Sequence, residues 1–211
     1  MGEGLRVAVL LSGGGRTLQN LLDHADRGEL GGARVVAAVA SKPGLKGHAV
    51  AEEAGIPAYV VPRKEHADNA SFSAAINDVL GPHDPELIVL AGFLSLYHPP
   101  DHLRDRVMNI HPALLPSFGG QGYYGHRVHQ AVLDYGCKVS GCTVHLADSE
   151  YDSGPIIVQR CVPVLEEDDA DALAARVFEQ ECVAYPQAVR LFAEGRLRRD
   201  GRRVRITPGN Q

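Results

Sequence analysis

The chain has 211 residues, 45% of them hydrophobic, and a formal net charge of −5. This length buries one substantial core, and no apolar run approaches the ~18 residues of a membrane-spanning helix. The acidic balance argues against a general nucleic-acid binder, which needs a net basic face, and Cys137, Cys142, Cys161 and Cys182 lack the C-x-x-C spacing of a zinc site or a disulfide framework.

The opening stretch MGEGLRVAVLLSGG carries a single Arg and an apolar run too short for a signal peptide, so a cytoplasmic protein acting on small molecules is expected. Its continuous apolar core, LRVAVLLSG, is the pattern of a strand buried on both faces in a parallel sheet. TLQNLLDHADRGEL follows, with Leu18, Leu21 and Leu22 at helical spacing. ARVVAAVAS reads as a second strand, HAVAEEAGIP as a short helix ending at Gly55, and AYVVP as a third strand. NASFSAAINDVL places Phe72, Ile76, Val79 and Leu80 on one helical stripe, with Asn69 as its N-cap. PELIVLAGF and RVMNIH are the fourth and fifth strands. HRVHQAVLDYG is helical and stops at Gly136. KVSGCTVHLAD and PIIVQRCVPVL are further strands. The stretch from Asp169 to Gly195 is one long helix or two, because Pro186 bends or breaks a helix. The tail RLRRDGRRVRI has Asp200-Gly201 between alternating residues, a hairpin signal, and its charges suit an edge strand that must avoid pairing with other chains. Strands alternating with helices predict an α/β fold with a doubly wound, mostly parallel, Rossmann-like sheet and a C-terminal β-hairpin.

Ligands of such sheets bind outside the carboxyl ends of the strands. In VMNIHP, Asn109 and His111 are two residues apart and project from one face of a strand whose end Pro112 marks. A carboxamide beside an imidazole suits acyl chemistry, since both supply N–H donors to the oxyanion of an attacked carbonyl. The bland alternative is a polar pair that caps the strand. Asp152, in DSEYDSGP, is placed to hold His111 protonated and to accept a proton from an attacking amine, if the two meet; taken alone it is turn chemistry. Residues 12 to 18, SGGGRTL, join the first strand to the first helix, where backbone N–H groups and the helix dipole favour a phosphate. A third glycine and an acidic end to the second strand are missing, so a dinucleotide site is disfavoured; no Gly-Lys-Ser/Thr follows, so it is not a P-loop. His126 and His129 resemble a metal-binding pair without a third ligand, and no metal is expected.

The pairing of NIHPALLP with a later TVHLADSEYDSGPII resembles the folate-dependent formyltransferases, over nearly the whole chain. Within them it is similar to the branch that moves the formyl group of 10-formyltetrahydrofolate to the amine of glycinamide ribonucleotide in de novo purine biosynthesis. The resemblance implies a single formyltransferase domain over residues 1–211. Its phosphate-binding half runs to about residue 100, a catalytic and folate-binding half spans about 101–195, and the hairpin covers 196–211. It also implies catalytic roles for Asn109, His111 and Asp152, with Asn109 and a protonated His111 stabilising the oxyanion. His145 is expected in support, and Thr143, on the same strand face, in ordering water. Gly13, Gly14, Gly15, Arg16 and Thr17 match a substrate-phosphate loop, and Glu181 a ribose-binding glutamate. Leu94, Ser95, Leu96 and Tyr97, with Ala147, Asp148, Ser149, Glu150 and Tyr151, match segments that enclose the folate. Tyr123 and Tyr124 are expected to cover a ligand or to lie at a subunit contact.

The sequence departs from the family pattern in three places. Arg16 and Thr17 replace a Ser-Asn pair, Phe178 stands where a polar residue is common, and Ser95 where an Arg is common. A formyltransferase acting on another amine and a formyltetrahydrofolate hydrolase therefore stay open, as does a nucleotide- or folate-binding module without activity. A tRNA-directed relative would carry a longer C-terminal domain. The expected partners are small molecules, with no nucleic acid and no membrane, in a monomer or homodimer.

Overall fold

The computed structural model describes residues 4 to 209. The first three residues of the stretch weighed as a leader and the last two of the expected hairpin segment lie outside the described residues. The chain falls into two compact units, Met1–Met108 and Asn109–Gln211.

In the first unit, β1 (Arg6–Leu11), β2 (Arg34–Ala40), β3 (Ala58–Val60) and β4 (Leu87–Ala91) lie in the order β3-β2-β1-β4. Each neighbouring pair is parallel. β4 is buried at all five positions and β1 at all but its first, the consequence of continuous apolar runs in strands covered on both faces. The helices α1 (Arg16–Asp26), α2 (Lys46–Glu53) and α3 (Asn69–Leu80) supply the crossovers. The chain moves outward from β1 to β3 and then returns to the other side of β1, so the loop after β1 opens at the point where strand order reverses.

Two local readings are corrected here. α1 stops at Asp26 rather than running on to Leu30, because Gly28 takes a φ of +71°. The cap of α3 is Asp68, not Asn69: the Asp68 carboxylate accepts from the Ser71 amide at 2.7 Å while Ser71 Oγ accepts from the Asp68 amide at 3.4 Å.

The second unit begins inside β5 (Val107–His111). Its strands run in the order β5-β6-β7-β9-β8, with β6 (Val139–Leu146), β7 (Ile156–Pro163), β8 (Leu197–Asp200) and β9 (Arg203–Ile206). β6 and β7 are antiparallel, and so are β8 and β9, whereas β9 meets β7 in parallel at Ile156 and Arg203. Around Gly141 the β6–β7 pair is so close that a Cβ would stand 2.0 Å from the Arg160 carbonyl oxygen. The register shifts between Val144 and His145, which leaves Ile157 as the extra residue of a bulge and re-aims the end of β6.

α4 (His126–Tyr135) and α5 (Ala170–Ala193) complete the unit. α5 is one continuous helix that contains Pro186. An interior proline costs about 3 kcal/mol, but buried side chains on both sides of it, Leu173, Val177 and Tyr185 before, Ala188, Val189 and Leu191 after, keep the helix continuous. Replacing Asp68 with Ala removes the α3 cap and is expected to lower stability by about 1 kcal/mol, read as a lower urea midpoint at an unchanged slope.

Candidate active site

β5 ends in alternation: Val107, Met108 and Ile110 are apolar and buried, while Asn109 and His111 turn their polar side chains to the other elements of the second unit. The chain after His111 is fixed by Thr143. The Thr143 hydroxyl donates to the Ala113 carbonyl (2.7 Å) and accepts from the Leu115 amide (3.0 Å) and from Gln159 Nε2 (3.0 Å). A hydroxyl has one hydrogen and two lone pairs, so this one is saturated. The expectation that Thr143 orders a water is therefore corrected; its support is to the backbone that follows His111.

That backbone then wraps the site. Phe118 adopts a φ of +53° and offers its carbonyl to His111 Nε2 at 2.8 Å. Gly120, at a φ of +95°, donates its amide to Asp152 Oδ2 at 2.9 Å. A side chain at Gly119 would collide with Leu115 Cδ2 at 2.5 Å and press on the Cβ of Asp152 at 3.2 Å.

Asp152 arrives from the loop between β6 and β7. The Leu146 amide donates to the Pro155 carbonyl at 2.9 Å to close the loop's neck, and a Cβ at Gly154 would stand 1.7 Å from the Leu146 carbonyl oxygen. Asp152 itself sits at a φ of +55°, in the left-handed region. Its carboxylate is 9% exposed. Oδ1 accepts from Asn109 Nδ2 at 3.2 Å and lies 3.6 Å from His145 Nε2; Oδ2 lies 3.4 Å from His111 Nδ1.

The acceptors fix the protons. Carbonyl oxygens only accept, so His111 carries its proton on Nε2, toward Phe118, and His145 carries one on Nδ1, which donates to the Leu146 carbonyl at 2.9 Å. Asn109 Nδ2 thus has both Asp152 Oδ1, at 3.2 Å, and His145 Nε2, at 3.1 Å, within hydrogen-bond distance.

Burial raises the Asp152 carboxyl, but hydrogen bonding from His145, the charge of His111 and the Gly120 amide outweigh it and hold the group below its ordinary 3.8. For His111, burial is the largest influence and lowers the imidazole; Asp152 and the Phe118 carbonyl raise it by less, and His145 lowers it further. The net direction is below 6.5, so the expectation of a standing protonated His111 is corrected: the resting ring is neutral at pH 7 because desolvation exceeds the attraction of one carboxylate.

A family model described as formyl transferase matches residues 5–189. The chain belongs to the formyl transferase family. It is 38% identical over 201 residues to the chloroplastic phosphoribosylglycinamide formyltransferase of Vigna unguiculata, covering 93% of this chain and 64% of that protein, so it spans less than two thirds of that relative. With the phosphoribosylglycinamide formyltransferase of Haemophilus influenzae it shares 35% identity over 195 residues, covering 92% of this chain and 89% of that one. The crystal structure of glycinamide ribonucleotide transformylase 1 from Symbiobacterium toebii superposes with a TM-score of 0.91 at 38% identity, covering 99% of this chain and 96% of that chain.

In this family member the first unit places Gly13, Gly14, Gly15, Arg16 and Thr17 at the start of α1, which has no side-chain cap. Gly15 is in the left-handed region at +82°, and a Cβ there would stand 2.5 Å from the Gly47 Cα. Ser12 braces the loop: its hydroxyl oxygen accepts from Ser41 Oγ (2.7 Å) and the Leu94 amide (3.2 Å). Leu94 is exposed, and Ser95 and Leu96 are half-buried. Tyr97 is buried and its hydroxyl donates to Asn77 Oδ1 on α3, so its side chain anchors the segment.

In the second unit Asp148 is likewise committed within its loop, accepting from Ser153 Oγ at 2.6 Å and from the Glu150 amide at 3.1 Å. Ala147 and Tyr151 are half-buried, and Ser149 and Glu150 are exposed beside them. Glu181 and Phe178 lie on α5, where the Glu181 charge acts on the buried Cys142 thiol of β6 and helps raise it, behind burial, to about 12. Tyr123 and Tyr124 are exposed; Tyr123 meets Phe118 edge-on and Arg127 lies over Tyr124.

The sequence reading missed Phe118, Gly119, Gly120 and Gly154. The doubled glycine after LLPSF was the visible signal for two of them.

Neither His126 nor His129 belongs to a metal-binding group among the described residues. His126 lies 3.6 Å from Asp171, while His129 is buried with no partner for its Nδ1 among the described residues. Burial first, then the charges of His126 and His111, push His129 down to about 4. A folded-state pKa below the unfolded 6.5 means stability that is complete above pH 6.5 and lost as pH falls toward 4. Up to about 3 kcal/mol is expected to disappear across that interval, and a His129→Gln variant should show a flatter acid limb in denaturant midpoints measured against pH.

Proposed function

We propose that this formyltransferase moves the formyl group of 10-formyltetrahydrofolate to the primary amine of glycinamide ribonucleotide, in purine biosynthesis. The observation that carries the reading is the convergence of Asn109, His111 and Asp152 at one strand end. The relatives named above act in the same sense. In this reading the α1 start takes the substrate phosphate, Glu181 the ribose, and residues 94–97 and 147–151 enclose the folate, as a cytoplasmic monomer or homodimer.

The chemistry follows from contacts that must exchange. The substrate amine attacks the formyl carbon, and the carbonyl becomes an oxyanion. One Asn109 N–H moves from Asp152 Oδ1 to that oxyanion. Asp152 loses a stabilising donor as it does so and becomes more basic, at the moment the attacking nitrogen becomes acidic. The proton passes to Asp152, directly or through water. His111 Nδ1, whose partner nitrogen is held by Phe118, is the basic atom facing that carboxylate and shares the proton, so the imidazolium forms in the intermediate instead of standing beforehand. Collapse breaks the bond between the formyl carbon and the folate nitrogen, which takes up the proton.

Arg16, Thr17 and Phe178 favour a second reading in which the same site formylates another amine. A spectroscopic formyl-transfer assay with glycinamide ribonucleotide and a panel of amines separates the two, and turnover without any amine identifies a hydrolase. Asp152→Asn is expected to lower kcat by roughly 10²- to 10⁴-fold at similar substrate KM. The acid limb of kcat/KM should lie below 6.5 and belong to the Asp152–His111 pair jointly, since both groups are held below their ordinary values in the resting protein. Unimpaired transfer by Asp152→Asn removes the carboxylate from the mechanism.

A further inference from the structure

The loop that presents Asp152 is also held by a residue that the proposed chemistry does not use. Arg202, in the turn between β8 and β9, donates from Nη2 to the Ser153 carbonyl at 2.7 Å. Ser153 directly follows Asp152, whose φ of +55° is a conformation that a residue with a side chain adopts at some cost. Local ties of the loop include the neck bond between Leu146 and Pro155 and the Asp148 carboxylate that gathers Glu150 and Ser153. The hairpin is well placed to add a distant one, because β9 docks on β7 at Ile156, four residues past Asp152.

The turn itself has other bonds. Asp200 pairs with Arg203 across it, Arg199 Nε donates to the Gly201 carbonyl at 3.0 Å, and Arg205 Nη2 meets Asp200 at 2.8 Å. We propose that Arg202 is a positioning residue of the formyl-transfer reaction: its guanidinium, bound to the Ser153 carbonyl, holds the loop in the conformation in which the Asp152 carboxylate reaches Asn109, His111 and Gly120.

This inference rests on the formyl-transfer reading, and the two are tested apart. Amide hydrogen exchange over residues 147–154 needs no substrate. In Arg202→Ala it is expected to quicken about five- to tenfold, the scale of one exposed hydrogen bond, with the rest of the second unit unchanged. In turnover the variant should lose about five- to tenfold in kcat, keep its KM for the amine, and shift the acid limb upward as Asp152 loses part of the contacts that hold it down. Arg202→Lys, which keeps a charged donor, should recover part of both effects. It also stands in if the Ala variant melts early. Wild-type exchange in the loop, or faster exchange with an unaltered kcat and acid limb, overturns the proposal. If the wild-type protein transfers no formyl group, the functional reading fails, and the exchange arm alone decides whether Arg202 holds the loop.

Discussion

The Asp152 carboxylate gathers Asn109, His111, His145 and the Gly120 amide around two oxygens that are almost sealed from water. Burial alone would raise the group; its neighbours hold it below its ordinary value. The second unit is built to satisfy this requirement. β5 delivers two side chains by alternation, the bulge in the β6–β7 pair turns His145 to the same place, and Gly119, Gly120 and Gly154 let backbone come closer than any side chain permits. In the proposed reaction substrate exchanges contacts with this network, and that exchange would couple the stabilisation of an oxyanion to the basicity of the carboxylate.

The strands were legible because each is a short apolar run with a breaker after it, and Asn109 and His111 because they interrupt such a run two residues apart. Their meeting with Asp152 was not, since 43 residues separate it from Asn109 and nothing in the intervening pattern measures a distance in space. The readings that needed correction share a cause. The neutral state of His111 depends on tertiary burial, and the saturation of Thr143 on the carbonyl of Ala113 and the side chain of Gln159. Asn69 lost the cap of α3 to Asp68 because both are good caps and only backbone geometry chooses between them. Pro186 left one helix or two open because its local cost is visible and the packing that exceeds it is not.

Two site contributions come from the main chain, the Phe118 carbonyl and the Gly120 amide. Every residue has these groups, so no side-chain pattern advertises them; what sequence shows is only the glycine that permits the required φ. The arginine-rich tail was legible as a hairpin, but its contact with the Ser153 carbonyl depends on where β9 docks on β7.

At the mouth of the first unit, α1 and α2 begin almost in contact, with Gly15 and Gly47 back to back and a Cβ on Gly47 only 2.9 Å from Leu11 Cδ1. Enlarging either glycine would wedge the starts of the two helices apart and tilt the turn after β1. An engineer reshaping this end of the unit therefore has little latitude at these two positions and more at Arg16, which is exposed, and Thr17, which is half-buried.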